Sequence, residues 1–273
     1  MTNLSPYISR GVISTRQVLE RLLAKGYKIA EIESLVKELC WRDYFQRVGQ
    51  ERDLNQDIKQ AQLPVLNHEI PVAVVNGETG ITGIDESIRQ LYRSGYMHNH
   101  CRMYTASLVC NVGKSYWLHP AQWMYYNLLD GDWASNACSW QWVAGANSNK
   151  KYYANQVNTY LDKSYEALQR MDIPAELKAI QKFVPENELP VASESQPNPE
   201  IPTFIYNYYN LDPLWHNEEM GNRILLIEPD FFTNYPVSRK CINFMLALSK
   251  NIPNIQVYAG SFQSLINQYK LKN

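Results

Sequence analysis

The stretch DGDWASNACSWQW, Asp130 to Trp142, constrains this chain more than any other. Two acids flank a glycine, three tryptophans follow at Trp133, Trp140 and Trp142, and Asn136 stands among them. Two carboxylates this close repel if both are buried and ionised, so at least one needs a cation or a donor. Indoles are large, apolar and flat, with a single donor, and stack well on aromatic ligands. Acids, an amide and indoles together suit a flat heterocycle with a polar edge. Taken alone, the stretch reads equally as an amphipathic helix whose aromatics fill a core.

The cation is available nearby in sequence. His98, Asn99 and Arg102 form a second polar cluster on a predicted helix over Met97–Cys110. A guanidinium fork pairs well with Asp130 or Asp132, and an amide such as Asn99 both donates and accepts. No third ligand stands at metal spacing from His98 and His100, so no metal site is expected. Thr2 and Ser5, just before a helix, place hydroxyls where a phosphate can sit, or where they simply cap the helix.

The chain is 45% hydrophobic and 19% charged over 273 residues, enough to bury a sizeable core. The net charge of −1 advertises no nucleic acid, so any DNA-binding face must be a local patch. Five cysteines lack C-x-x-C spacing, which argues for free thiols and a cytoplasmic location rather than disulfides or zinc. No apolar run is long enough to span a bilayer.

Along the chain, Met1–Gly11 reads as a loop, and Ser14 with Gln17 has the spacing of a capping box that opens a helix stopped at Gly26. Lys28–Gln50 reads as one helix carrying Glu38, Trp41 and Arg42 on one side. Arg52–Thr82 is a long connection of the kind that is often functional. Asp85 is expected to cap the next helix, which Gly95 ends, and Pro120 lies near the start of a helix ending at Leu129. Helical patterns run over Gln156–Met171 and Pro174–Phe183. The Pro-, Ser- and Glu-rich NELPVASESQPNPEIP reads as a linker. Beyond it, Thr203–Tyr209, Arg223–Ile227 and Ile255–Tyr258 read as strands and Val237–Lys250 and Phe262–Tyr269 as helices, a small βαβ unit. No dinucleotide or P-loop fingerprint occurs. The expected organisation is a helical domain over 1–186, a linker over 187–202 and a small α/β segment over 203–273.

TNLSPYISRGVIS, ELCWRDYF, IDESIRQL, GYMHNHCRM and DGDWASNACSWQW follow one another in order. Together they resemble the catalytic, FAD-binding domain of the DNA photolyase/cryptochrome family. The resemblance is close over Thr2–Trp142 and fades toward Phe183. It implies a mainly α fold, a helical FAD-binding domain with a small C-terminal α/β appendage, and FAD as cofactor.

The resemblance also implies roles. Thr2, Asn3, Leu4 and Ser5 match the loop at the FAD phosphates. Arg42, His98, Asn99 and Arg102 match flavin-side contacts, with Arg102 paired to Asp130, while Asp130 and Asp132 match the acids at the isoalloxazine and sugar. Asn136 matches the residue facing flavin N5, where asparagine is similar to repair photolyases. Glu38, Trp41, Met103 and Trp142 match the groups that meet a flipped pyrimidine dimer, and His100 stands where the family usually has arginine. Trp140 and Trp117 match the inner members of the tryptophan chain that photoreduces the flavin. The outermost member is expected within Pro64–Thr82, which holds no tryptophan, so either photoreduction is slower or a tyrosine or another indole such as Trp123 substitutes. The tail resembles a piece of the family's antenna domain, too small to hold an antenna chromophore. The implied function is light-driven splitting of cyclobutane pyrimidine dimers in single-stranded or distorted UV-damaged DNA. The alternative is a cryptochrome-like blue-light sensor that signals to a protein partner.

Overall fold

A computed structural model describes residues 3–154, 173–186, 189–190 and 197–271. The chain forms two compact units. One comprises residues 37–184 and the other residues 1–36 together with 185–273. The break near 185 lies beside the expected boundary at 187. The grouping of residues 1–36 with the C-terminal segment differs from the expected division.

The 37–184 unit is helical. Helix α3 (Glu33–Glu51) leads into it, followed by α4 (Val72–Asn76), α5 (Thr82–Ser94), α6 (Asn99–Ser107), α7 (Leu118–Asn127) and α8 (Trp133–Ala144). The i, i+4, i+7 spacing of Ile84, Ile88 and Leu91 on α5 puts three fully buried aliphatics on one stripe. Gly95 ends this helix at φ 69°. A Cβ there would stand 2.5 Å from Leu129 Cγ, so glycine is required twice over. Helix α6 continues as a π-helical turn over Leu108–Val112. Helix α8 is buried on almost every side, with Trp133, Ala137, Trp140 and Ala144 all in the core. That is why its sequence shows little amphipathic pattern.

Several expectations are corrected in detail. Asp85 is not the cap of α5 but lies in its first turn. Its carboxylate accepts from Thr79 N–H at 2.8 Å, Thr79 Oγ1 at 2.7 Å and Gly80 N–H at 3.2 Å, and so ties down the preceding loop. Pro174–Phe183 is not a helix. A short 3-10 turn, Ala175–Leu177, precedes strand β2 (Ile180–Gln181), which pairs antiparallel with β1 (Ile70–Pro71). The strand pairing takes the backbone groups that a helix would have used internally. Gln156–Met171 lies outside the described residues.

The other unit holds a parallel sheet of order β3–β4–β5, from Thr203–Tyr206, Asn222–Ile227 and Ile255–Ala259. Strand β4 is central and buried at every residue, which explains the apolar run of Ile224, Leu225, Leu226 and Ile227 within it. Between β4 and β5 run α9 (Pro229–Asn234), not foreseen in the sequence, and α10 (Arg239–Ser249). Ile224, Leu226 and Tyr258 pack on Leu265 of α11 (Phe262–Tyr269).

The N-terminal residues belong to this unit because they pack on it. Arg10 is fully buried, its guanidinium 3.7 Å from the Tyr208 ring centroid, and its carbonyl accepts from Leu211 N–H at 3.0 Å. Met1–Gly11 is not all loop, because Pro6 pre-sets φ for the first turn of α1 (Ser5–Ser9). Lys28–Gln50 is likewise not one helix. A 3-10 turn, Ile29–Glu31, stands before α3. Helix α2 (Thr15–Ala24) does begin with the expected capping box: Ser14 Oγ accepts from Gln17 N–H at 3.1 Å and Gln17 Oε1 from Ser14 N–H at 2.7 Å. Ser14→Ala is expected to lower stability by about 1 kcal/mol in urea denaturation.

Candidate functional site

Within the 37–184 unit, α6, α7 and α8 wall a cleft of about 100 Å³. Asn99, Arg102, Met103, Asp130, Asn136 and Trp140 are among its lining residues. Six of the expected site residues are thus brought together, with Asp132 as a seventh.

The ion pair that the charge argument required is present. Arg102 Nη2 donates to both oxygens of Asp130, at 3.0 and 2.8 Å, and its Nε donates to Met97 O at 2.8 Å. The Asp130 side chain is 6% exposed, so the pair acts where water screens little. Asp132, next to it, has a structural task as well. It caps α8, its Oδ1 accepting from Ala134 N–H at 3.1 Å and from Ser135 N–H at 3.4 Å. Its Oδ2 accepts from Ser135 Oγ at 3.1 Å, takes a short hydrogen bond from Gln46 Nε2 and lies 3.6 Å from Arg42 Nε. Arg42 therefore serves the cleft through Asp132. Gln46 was not anticipated, although it stands one turn beyond Arg42 on the same face of α3.

Asn136 donates through Nδ2 to Ala121 O at 2.9 Å. Asn136 lines the cleft, and its Oδ1 remains the acceptor of the amide. Cation, carboxylates and amide match the polar edge of an isoalloxazine. Whole-ligand pockets run to roughly 300–1,000 Å³, so this cleft takes one edge of a flat ring and not a complete dinucleotide. His98 caps α6, its Nδ1 accepting from His100 N–H at 3.3 Å, and the two imidazoles stack at 5.2 Å. Burial, with His100 and Arg102 close by, lowers the His98 pKa below the ordinary imidazole value. No group of three metal-ligating side chains occurs among the described residues.

Of the residues expected to meet a lesion, Met103 lines the cleft and the other three lie toward solvent. Trp41 is 57% and Trp142 42% exposed, unusual for indoles, and Glu38 is also exposed. Trp41 stacks on Phe45 at 5.6 Å and meets Tyr44 edge-on, while Trp142 leans on Tyr152 at 5.4 Å. Trp117 is fully buried. Trp133 stacks on it at 6.5 Å. Asn3, Leu4 and Ser5 lie in the other unit at the start of α1, and Thr2 lies outside the described residues.

Residues 35–200 match the FAD-binding domain of DNA photolyase, and the chain belongs to that family. It is similar to the deoxyribodipyrimidine photo-lyase of Buchnera aphidicola subsp. Baizongia pistaciae, 33% identical over 198 residues covering 67% of this chain and 39% of the relative. It is also similar to that of Vibrio cholerae, 32% identical over 161 residues covering 56% of this chain and 34% of the relative. Among solved structures, a cryptochrome of Synechocystis sp. PCC6803 is 27% identical with a TM-score of 0.50, over 56% of this chain and 33% of that one. The chain spans little more than a third of the length of these relatives. The mainly α fold follows from this kinship and from the helices described above, and FAD is the cofactor of the family's domain. No described helix is long and apolar enough to cross a membrane.

Proposed function

We propose that this chain is a photolyase-type flavoprotein that splits cyclobutane pyrimidine dimers under light, in single-stranded or distorted DNA. The observation that carries the reading is the cleft in which the Arg102–Asp130 pair and the Asn136 amide meet. FAD, when bound, supplies the photoexcited electron donor. Arg102 holds Asp130 in place through both carboxylate oxygens, so that its carboxylate orients a ring edge carrying N–H donors. Asn136, with its nitrogen committed to Ala121, offers an acceptor to a protonated ring nitrogen. Trp140, at 2% exposure, closes the cleft to water.

On the solvent side, Trp41 and Trp142 offer faces for stacking, about 1–3 kcal/mol per base. Glu38 offers a carboxyl for the dimer carbonyls. The net charge of −1 gives a modest grip on phosphate, so the substrate is DNA in which flipping is already cheap. A second reading, a blue-light sensor, is favoured by the likeness to a cryptochrome.

The test is the visible spectrum of the purified protein with FAD before and after blue light, followed by dimer repair on single-stranded and duplex DNA. Light-dependent loss of dimers, faster on single strands, is expected. Equal rates on intact duplex would refute the strand preference. Photoreduction without repair would favour the sensor, and failure to take up FAD would sink both.

A further inference from the structure

The 52–69 part of the long connection grips the Tyr116–Trp117 dipeptide. Gln62, 3% exposed, accepts from Trp117 N–H at 3.0 Å and donates to Ser115 O at 2.8 Å. Leu66 N–H donates to Lys114 O, and Tyr116 N–H to Asn67 O, both at 2.8 Å. At the centre of this grip stands Asp57. Its Oδ1 accepts from Trp117 Nε1–H at 2.7 Å and from the Tyr116 hydroxyl at 3.0 Å, and its Oδ2 accepts from Gln62 N–H at 2.9 Å. The Tyr116 ring lies 5.8 Å from Trp117 and 5.0 Å from the exposed imidazole of His68. A path of aromatic contacts therefore leads from a fully buried indole, through a half-buried phenol, to the surface.

We propose that Tyr116 is the outermost electron donor of the chain that reduces the flavin, with Asp57 accepting its phenolic proton. The proposal rests on the reading of this protein as an FAD-dependent photolyase. When Trp117 has lost one electron, by way of Trp140, to photoexcited oxidised FAD, its radical cation takes one electron from Tyr116. The Tyr116 O–H bond breaks and its proton passes to Asp57 Oδ1. The products are neutral Trp117, a neutral tyrosyl radical and a protonated carboxyl. The electron rests on the flavin and the proton on Asp57. A soluble thiol then returns one hydrogen atom to Tyr116, becoming a thiyl radical, and Asp57 releases its proton to water.

The hydrogen bond is what qualifies this tyrosine. Burial and the Asp57 carboxylate push the Tyr116 pKa up to about 12, so at neutral pH the phenol keeps its proton and its oxidation needs an acceptor in place. Trp123 is less well placed. Its indole donates to the Tyr92 hydroxyl at 3.0 Å, and among the described residues its ring partner is Tyr92 rather than Trp117. Trp133 does touch Trp117 but is 7% exposed and leads inward.

The decisive experiment is transient absorption after a blue flash on the full chain with FAD bound. The wild type is expected to end on a tyrosyl radical formed more slowly in heavy water. Tyr116→Phe is expected to end on a tryptophanyl radical, with photoreduction by thiol lowered roughly tenfold, a barrier change of about 1.4 kcal/mol. Asp57→Asn is expected to slow formation of the tyrosyl radical, and Trp123→Phe to leave it unchanged. Bound FAD per chain, measured for each variant, separates misfolding from loss of the donor. In flavin-free protein, the phenol that titrates near 12 in the ultraviolet is expected to vanish in Tyr116→Phe and to move to lower pH in Asp57→Asn. A wild type that takes up FAD yet ends on a tryptophanyl radical overturns this proposal alone, as does a flavin-free titration that neither variant alters. A protein that takes up no FAD overturns the functional reading and this proposal together.

Discussion

Arg102→Ala is expected to destabilise the helical unit by about 3 kcal/mol, because it strands a buried carboxylate. Asp130 is 6% exposed and takes both of its contacts with Arg102 from one guanidinium nitrogen, at 3.0 and 2.8 Å. Asp132, two residues on, is itself buried and lines the same cleft, so the deletion leaves two carboxylates sharing one low-dielectric site. Urea denaturation of the variant reads the loss. Adding Asp130→Asn in the Arg102→Ala background removes the stranded charge and is expected to recover part of the loss, a coupling that a double-mutant cycle measures. Additive effects in the cycle would mean that the pair contributes little. Uptake of FAD by Arg102→Ala is expected to fall as well, since the same guanidinium holds the carboxylate that the proposed function sets against the cofactor. Arg102→Lys keeps the charge but loses the donation to Met97 O, and is expected to fall between the two.

What could be read from the sequence was what neighbouring residues decide together. The capping box at Ser14 and Gln17, the stop at Gly95 and the buried run of β4 each depend on a few consecutive positions. That Arg102 meets one of the two acids was legible for another reason, because carboxylates flanking one glycine call for a cation or a donor and Arg102 stood on a neighbouring helix, while the choice of Asp130 came from the family resemblance. Contacts between distant positions left no such mark. Asp57 meets Tyr116 across 59 residues and Trp117 across 60, with no periodicity to betray it. Gln46 and Arg42 converge on Asp132 only because α3 runs beside the start of α8. The Pro174–Phe183 stretch carried helical spacing, yet pairing of Ile180 and Gln181 with Ile70 and Pro71 overrode it. Likewise, nothing near Arg10 announces that its partners lie almost two hundred residues away.

That last contact makes Gly11→Ala the second substitution with a large expected effect. Gly11 has φ 67°, a conformation that costs alanine about 1 kcal/mol or more. A Cβ there would stand 2.3 Å from Tyr209 O, and a backbone oxygen cannot swing aside as a side chain would. Relief requires moving either the Arg10–Gly11 backbone or the Tyr208–Asn210 turn. The first pulls the buried Arg10 guanidinium from the Tyr208 ring and from Ser9 Oγ, 2.9 Å away. The second disturbs the bridge between Asn207 and Asn210. Either route brings the expected cost to about 3 kcal/mol. Limited proteolysis is expected to show new cleavage within residues 197–271 while residues 37–154 stay protected, and urea denaturation to show an earlier loss of part of the signal. Unchanged cleavage would mean that the N-terminal residues do not anchor to the sheet.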